Sequence, residues 1–321
     1  MSDPDCISTP KASGSPDDPV VVFVADDHFA MPLAAAMSSV IANLGAGLRV
    51  QIFIVNGGVS LTNRGKVMQS GRGKRVSLQW LEPSGAQRDL LRSFPCGYLG
   101  RAPYHKLLIP DLVGPDHARV IYLDCDVIVE TDIADLWRAE LGNNFVLAAQ
   151  DLINPFVSSP FGLRNWREIG RKEDDKLFNS GVLVMDAARW RQANVIQGMT
   201  RYLHDYYRDI QLCDQDAMNA VFQGGWGQLD SRWNVLPYMN RAREFTSLSR
   251  KDHEDLLSRA YLLHYCGQDK PWHAHCPHPY RDRFFHYLDM TAWSGWRPQW
   301  WAPCSDVLAY YARRVLVKLG R

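Results

Sequence analysis

Apolar residues along this chain gather in short runs that end in acidic or turn-forming residues. Val20-Val21-Val22-Phe23-Val24-Ala25 is continuously apolar and stops at Asp26-Asp27. Val50 to Val55 ends at Asn56-Gly57-Gly58, and Val76 to Leu81 ends at Glu82-Pro83. The first run, continuous and rich in β-branched residues, predicts a strand buried on both faces of a parallel sheet, and the other two predict further strands. Further strands are predicted at 119–123, 145–149 and 181–185, and a late apolar segment, 260–263, leads into His264. Helices are predicted over 31–43, from 187 to about 207, and over 215–222. This alternation predicts βαβ units and hence a doubly wound α/β sheet flanked by helices.

The two ends read differently. Residues 1–19 are rich in Ser, Pro, Asp and Gly, and predict a disordered tail ahead of a domain running from 20 to 290. From 291 to 321 the chain turns Trp-rich and basic. Trp293, Trp296, Trp300 and Trp301 lie among Gly, Pro and Arg, and Leu308, Tyr311, Val315 and Leu319 form one helical stripe. Three readings stay open for this small helical and aromatic extension. It is a helix packed on the domain, a surface resting on a membrane, or a helix that binds a partner. No apolar run reaches the length of a membrane span, and no early stretch has the make-up of a secretory leader.

Composition narrows the class. Of 321 residues 46% are hydrophobic, which suffices for one large domain. A formal net charge of +1 offers no general electrostatic footprint for nucleic acid, so no such partner is expected. The seven cysteines are odd in number and lack C-x-x-C spacing. They predict reduced thiols in a cytoplasmic protein, with any membrane contact peripheral and at the inner face.

In open α/β sheets ligands collect at the carboxyl ends of strands. One predicted strand ends at Asp26-Asp27, one at Asp124-Cys125-Asp126, and the late segment at His264. In an extended chain Asp124 and Asp126 share a face, roughly 7 Å apart. Carboxylates so placed need a cation, and a divalent metal would leave positions open for diphosphate oxygens. Cys125 would then point into packing. An imidazole ligand such as His264 would shift preference from Mg2+ toward Mn2+. After His264 come Gly267, which lets backbone approach a phosphate, and Lys270, which supplies a point charge.

Six stretches together resemble the retaining glycosyltransferases of family eight, the group of glycogenin and of bacterial lipopolysaccharide galactosyl- and glucosyltransferases. They are VVFVADDHF (21–29), VIYLDCDVIV (120–129), LGNNFVLAAQDL (141–152), LFNSGVLVMD (177–186), DQDAMN (214–219) and HYCGQDKPWH (264–273), in the family's order. The likeness is greatest to the lipooligosaccharide galactosyltransferases. The resemblance implies a GT-A fold, a Rossmann-like sheet with a metal-bound nucleotide at its strand ends. It implies metal ligation by Asp124, Asp126 and His264, with manganese usual and magnesium second. The implied donor is a UDP-sugar, and the acceptor a glycan or lipopolysaccharide. Lys270 and Gly267 would hold the diphosphate, Asp26 the uracil edge and Phe29 its face, with Val24 and Cys125 counted among the nucleotide-binding positions. Lys106 falls where the family bridges sugar and phosphate. Asp151, Asn179, Asp214 and Gln215 match the donor-sugar pocket. His28 departs from the family, which often has Asn there, and the loops at 155–172 and 238–248 show no match.

Taken singly, some of these residues also have plain structural readings. Asp214 reads as a cap for a helix starting at Gln215, Asn179 as a turn residue, and Asp151 as a solvated strand end. The resemblance implies retention of configuration. Double displacement would need a nucleophile, yet the matching position holds Gln215, a neutral amide. Front-face attack is therefore the expectation, with Gln215 stabilising charge on the sugar. Two other functions remain to be separated from this one. One is a haloacid-dehalogenase-like phosphatase, which also places D-x-D after an apolar strand. The other is an inactive module that binds nucleotide-sugars without turnover.

Overall fold

The computed structural model describes residues 15–96, 100–237, 248–267, 269–274, 278 and 280–299. The helical stripe at 307–321, Trp300 and Trp301, residues 1–14 and most of the 238–248 loop lie outside the described residues. The strands are β1 (Val20–Ala25), β2 (Val50–Asn56), β3 (Val76–Leu81), β4 (Arg119–Leu123) and β5 (Val127–Val129), then β6 (Val146–Gln150), β7 (Phe178–Asp186), β8 (Trp226–Gln228) and β9 (Leu262–His264). Seven form the central sheet in the order β3-β2-β1-β4-β7-β6-β8, while β5 and β9 make a separate two-stranded sheet.

Strand alternation explains the core. Val20 and Val22 pack on one face with Phe53, Tyr104 and Leu107. Val21 and Phe23 pack on the other with Leu33, Met37 and Ile52. With both faces covered, no polar alternation is needed, hence the unbroken apolar runs. The helix Ala30–Ala42 is apolar all round because it is itself sandwiched. It backs the sheet and also meets Phe284, Phe285 and Leu288 through Ala35.

Three expectations from the sequence need correction. The sheet is mixed: β1 to β4 pair in parallel, but β7 runs antiparallel to both β4 and β6. Parallel return needs a crossover, usually helical. The chain from β6 to β7 instead folds back through turns, with Phe156 bridging Lys176. The long helix expected from 187 is two helices, Ala187–Gln192 and Val195–Asp205, broken where Asn194 takes φ 47°. Asn tolerates that left-handed conformation better than most residues.

The third correction concerns Asp124-Cys125-Asp126. The run from Val120 to Val129 is not one strand. The last residue paired in β4 is Leu123, the acidic triplet is a turn, and Val127–Val129 leaves to pair with β9. The two carboxylates therefore converge by turning rather than by sharing one face of a strand. At the other end, residues just before β1 are already tied down. Trp137 Nε1 donates to Pro16 O at 2.9 Å, and the Arg49 N–H donates to Asp18 Oδ1 at 2.8 Å.

Candidate functional site

Backbone pairing brings the site together. The Asp124 N–H donates to Gly181 O at 2.8 Å, which seats Asp124 against β7. In the small sheet His264 pairs with Val127, and the Tyr265 N–H donates to Asp126 O at 2.8 Å. One carboxylate oxygen from each Asp and a ring nitrogen of His264 lie within 4.8 Å of one another. His264 Nε2 is 3.4 Å from Asp126 Oδ1 and 3.7 Å from Asp124 Oδ2. The mixed oxygen–nitrogen donor set fits a divalent cation. Lys270 stands at its edge, its Nζ 2.5 Å from Asp126 Oδ2 and 2.8 Å from Tyr265 O. Burial opposes the charged form of Asp126, but Lys270 and then His264 hold its carboxyl well below the usual range.

A second cluster adjoins the first. Lys106 comes from a 3-10 segment, Ala102–Leu108, and is only 2% exposed. Its Nζ lies 2.8 Å from Asp214 Oδ2 and 3.5 Å from Asp124 Oδ1, and donates to Ser180 O at 2.9 Å. Burial alone would push the ammonium pKa down, but Asp124 and Asp214 outweigh it and hold it up. Lys106 therefore ties Asp124 to the helix Asp214–Val221. That helix starts at Asp214 itself, after Cys213 at φ 53°. The Asp214 side chain is not a helix cap: its Oδ2 accepts from Lys106 and from Ser180 Oγ.

Gln215 is pinned at both ends of its amide. Its Oε1 accepts the Ser180 N–H at 3.0 Å, and its Nε2 donates to Asp151 Oδ2 at 3.0 Å. Asp151 is buried rather than a solvated strand end. Its Oδ1 accepts from the Ile153 and Asn154 N–H groups, both at 2.8 Å. Asn179 lies inside β7, not in a turn before it, and its Nδ2 faces Asp151 Oδ2 at 3.4 Å. Asp151, Asn179, Asp214 and Gln215 are thus contiguous.

The remaining positions line the end of β1. Asp26 caps the short turn that follows, its Oδ1 accepting the Phe29 N–H at 3.1 Å. Phe29 meets Trp272 edge to face at 6.1 Å, so the end of β1 touches the segment carrying Lys270. His28 is exposed on that turn. Cys125 points inward as expected, though through the turn rather than strand alternation, its thiol donating to Val24 O at 3.0 Å. Gly267 has φ 90°, a conformation that favours glycine.

Sequence reading missed Gly181, Ser180, Tyr122 and Asn234. Tyr122 OH donates to Asp124 Oδ1 at 2.5 Å. Gly181 leaves room for the site. A methyl group there would run into His264 Cε1 and stand 2.8 Å from Asp124 Oδ2. Gly181→Ala should keep the fold, since the residue lies in an ordinary strand, yet weaken divalent-cation binding by about 10–100-fold. Calorimetry with Mn2+ measures this, and unchanged affinity would show that the space is idle.

Asp216 is a buried carboxyl beside the site. Burial raises it to about 7, against the Gln211 and Leu212 N–H groups that donate to it at 2.6 and 3.0 Å. Because its pKa is raised on folding, the folded chain holds the proton more tightly. Stability should then fall as pH rises from about 4 to about 7 and stay level above. Asp216→Asn should raise stability on the order of 2 kcal/mol at pH 8, a gain that shrinks toward zero near pH 4. Urea unfolding at the two pH values checks both.

Several known proteins are similar to this chain in sequence or fold. General stress protein A of Bacillus subtilis (strain 168) is 28% identical over 279 residues, which is 85% of this chain and 94% of that protein. Lipopolysaccharide 1,2-glucosyltransferase of Escherichia coli (strain K12) is 28% identical over 217 residues, 66% of this chain and 61% of that protein. Among solved structures, the galactosyltransferase LgtC in complex with donor and acceptor sugar analogues superposes with a TM-score of 0.70. It is 26% identical, and the match covers 88% of this chain and 98% of that one. The fold is accordingly of the GT-A type. The model of Glycosyl transferase family 8 matches residues 20–276, most of the described domain, and this chain belongs to that family.

Proposed function

We propose that this chain is a retaining hexosyltransferase. It moves galactose or glucose from a UDP-sugar to a glycan acceptor of the lipopolysaccharide type, with manganese as the preferred divalent cation and magnesium as second choice. The observation that carries the reading is the meeting of Asp124, Asp126 and His264 around one point. These three side chains would hold a divalent cation, which would supply Lewis-acid neutralisation of the departing nucleoside diphosphate. The family supports a sugar donor, and the LgtC complex with donor and acceptor analogues supports a two-substrate site. The name of the Escherichia coli relative supports a lipopolysaccharide acceptor.

The chain's own residues divide the work. Lys270 and the backbone at Gly267 hold the diphosphate, and Lys106 bridges sugar and phosphate. Asp26 and Phe29 hold the uracil. Val24, His28 and Cys125 line that end, Cys125 through its backbone, because its thiol is spent on Val24. Asp151 and Asn179 grip the sugar. Among the described residues, the two carboxylates nearest that pocket are both engaged. Asp214 is bound by Lys106 and Ser180, and both oxygens of Asp151 accept hydrogen bonds. Attack therefore comes from the face that the diphosphate leaves. A phosphate oxygen takes the acceptor proton, and the fixed Gln215 amide stabilises the sugar's developing charge.

Among the described residues no helix is long and apolar enough to cross a membrane. Trp293 packs against the domain, so it is the rest of the Trp-rich, basic extension that would rest on the inner membrane face. The phosphatase reading loses its support, because it has no use for an imidazole facing both carboxylates. Hydrolysis of a panel of nucleotide-sugars tests the proposal. UDP-galactose or UDP-glucose should be cleaved with Mn2+ and not in chelator. Binding without any product would favour the inactive module, and a sugar adduct on Asp214 would overturn front-face attack.

A further inference from the structure

An imidazole offers Nε2 to a metal only when the proton sits on Nδ1, and the partner of Nδ1 decides that. Here the partner is Asn234, whose Oδ1 lies 2.8 Å from His264 Nδ1; each residue is 2% exposed. A carboxamide could turn either end toward the ring. What turns the oxygen is a chain of hydrogen bonds that begins at the main chain. The Gly181 N–H, which can only donate, donates to Asn179 Oδ1 at 2.9 Å. Asn234 Nδ2 donates to the same oxygen at 2.9 Å. With its nitrogen spent there, Asn234 presents oxygen to His264. The opposite setting of Asn179 would put its amide group against two donors and its oxygen against Asp151 Oδ2.

We propose that Asn234 is the positioning residue for the metal centre, fixing both the tautomer and the direction of His264. The inference rests on reading Asp124, Asp126 and His264 as metal ligands. It adds a polarity that runs from Gly181 through Asn179 and Asn234 to the ring, leaving the Nε2 lone pair aimed at the two carboxylates. Asn234 reaches the metal centre through His264, while its Nδ2 also supports Asn179. Its backbone neighbourhood is held separately: the Val235 N–H donates to Leu262 O at 3.0 Å and the His264 N–H to Val235 O at 2.8 Å. The strand pairing should therefore survive loss of the side chain.

Two measurements on the full chain test this. The nitrogen-15 spectrum of histidine-labelled wild type at pH 8, without metal, should show His264 protonated at Nδ1. Protonation at Nε2 would overturn the inference, and no variant is needed. Calorimetry with Mn2+ in the presence of UDP should then show Asn234→Leu binding the ion about 10–100-fold more weakly, with kcat largely recovered at saturating Mn2+. His264→Ala serves as control. If it binds Mn2+ as wild type does, the metal reading itself fails. If it loses affinity while Asn234→Leu does not, only the role of Asn234 fails.

Discussion

Lys106→Met should destabilise this protein by roughly 3–5 kcal/mol, the usual cost of breaking a buried ion pair from one side. The ammonium is buried among Asp214, Asp124 and two oxygens of Ser180. Methionine fills much of the volume but leaves Asp214, itself 3% exposed, without its counter-charge. Turnover should fall with it, because Lys106 also holds Asp124 in place. The two effects can be separated. Adding Asp214→Asn removes the stranded charge and should recover a large part of the stability, measured by urea unfolding. It should not recover turnover, since Asp124 still lacks its ammonium partner and Asp214 is itself proposed for the donor-sugar pocket. Equal recovery of both would mean that Lys106 serves only the fold.

Asp124→Asn should lower metal-dependent donor hydrolysis by about 10³-fold or more, equivalent to about 4 kcal/mol in the barrier. Stability should change little by comparison, because Asp124 is part exposed and its neighbours keep other partners. Lys106 retains Asp214. A cavity or unfolding effect would instead appear in both measurements. Hydrolysis is followed across a range of Mn2+ concentrations, since loss of a ligand should show first as a higher metal requirement. Full activity of the variant in chelator would rule out a metal role for this residue.

How much of this was legible beforehand varies with the physics. Buried parallel strands advertise themselves, because covering both faces removes polar residues, and β1 begins and ends where its apolar run does; the edge strand β3, with Ser77 and Gln79 in it, was legible from its bounding turn residues instead. The acidic triplet was visible as composition but not as geometry. An apolar run reads the same whether it is one strand or two strands divided between sheets, so the turn at 124–126 was hidden. The antiparallel direction of β7 was hidden too, since direction depends on a long irregular connection. Among site residues, Asp151, Asn179, Asp214 and Gln215 carried motifs, and the fold brings them into contact. Gly181 and Asn234 carried none that stood out. Gly181 matters for what it leaves empty. Asn234 sits between Trp233 and Val235 as one amide in an apolar stretch, and only pairing with β9 shows that it faces His264. A lone buried Asn before a strand that delivers a histidine was the available signal.

The central claim is that one divalent ion binds between Asp124, Asp126 and His264. Crystals grown with Mn2+ and UDP, measured near the manganese absorption edge, test it most directly. The account predicts a single strong anomalous peak within bonding distance of both carboxylates and His264 Nε2, with Lys270 drawn off Asp126 toward the diphosphate. A peak elsewhere, or UDP bound with those three side chains unmetallated, would contradict it.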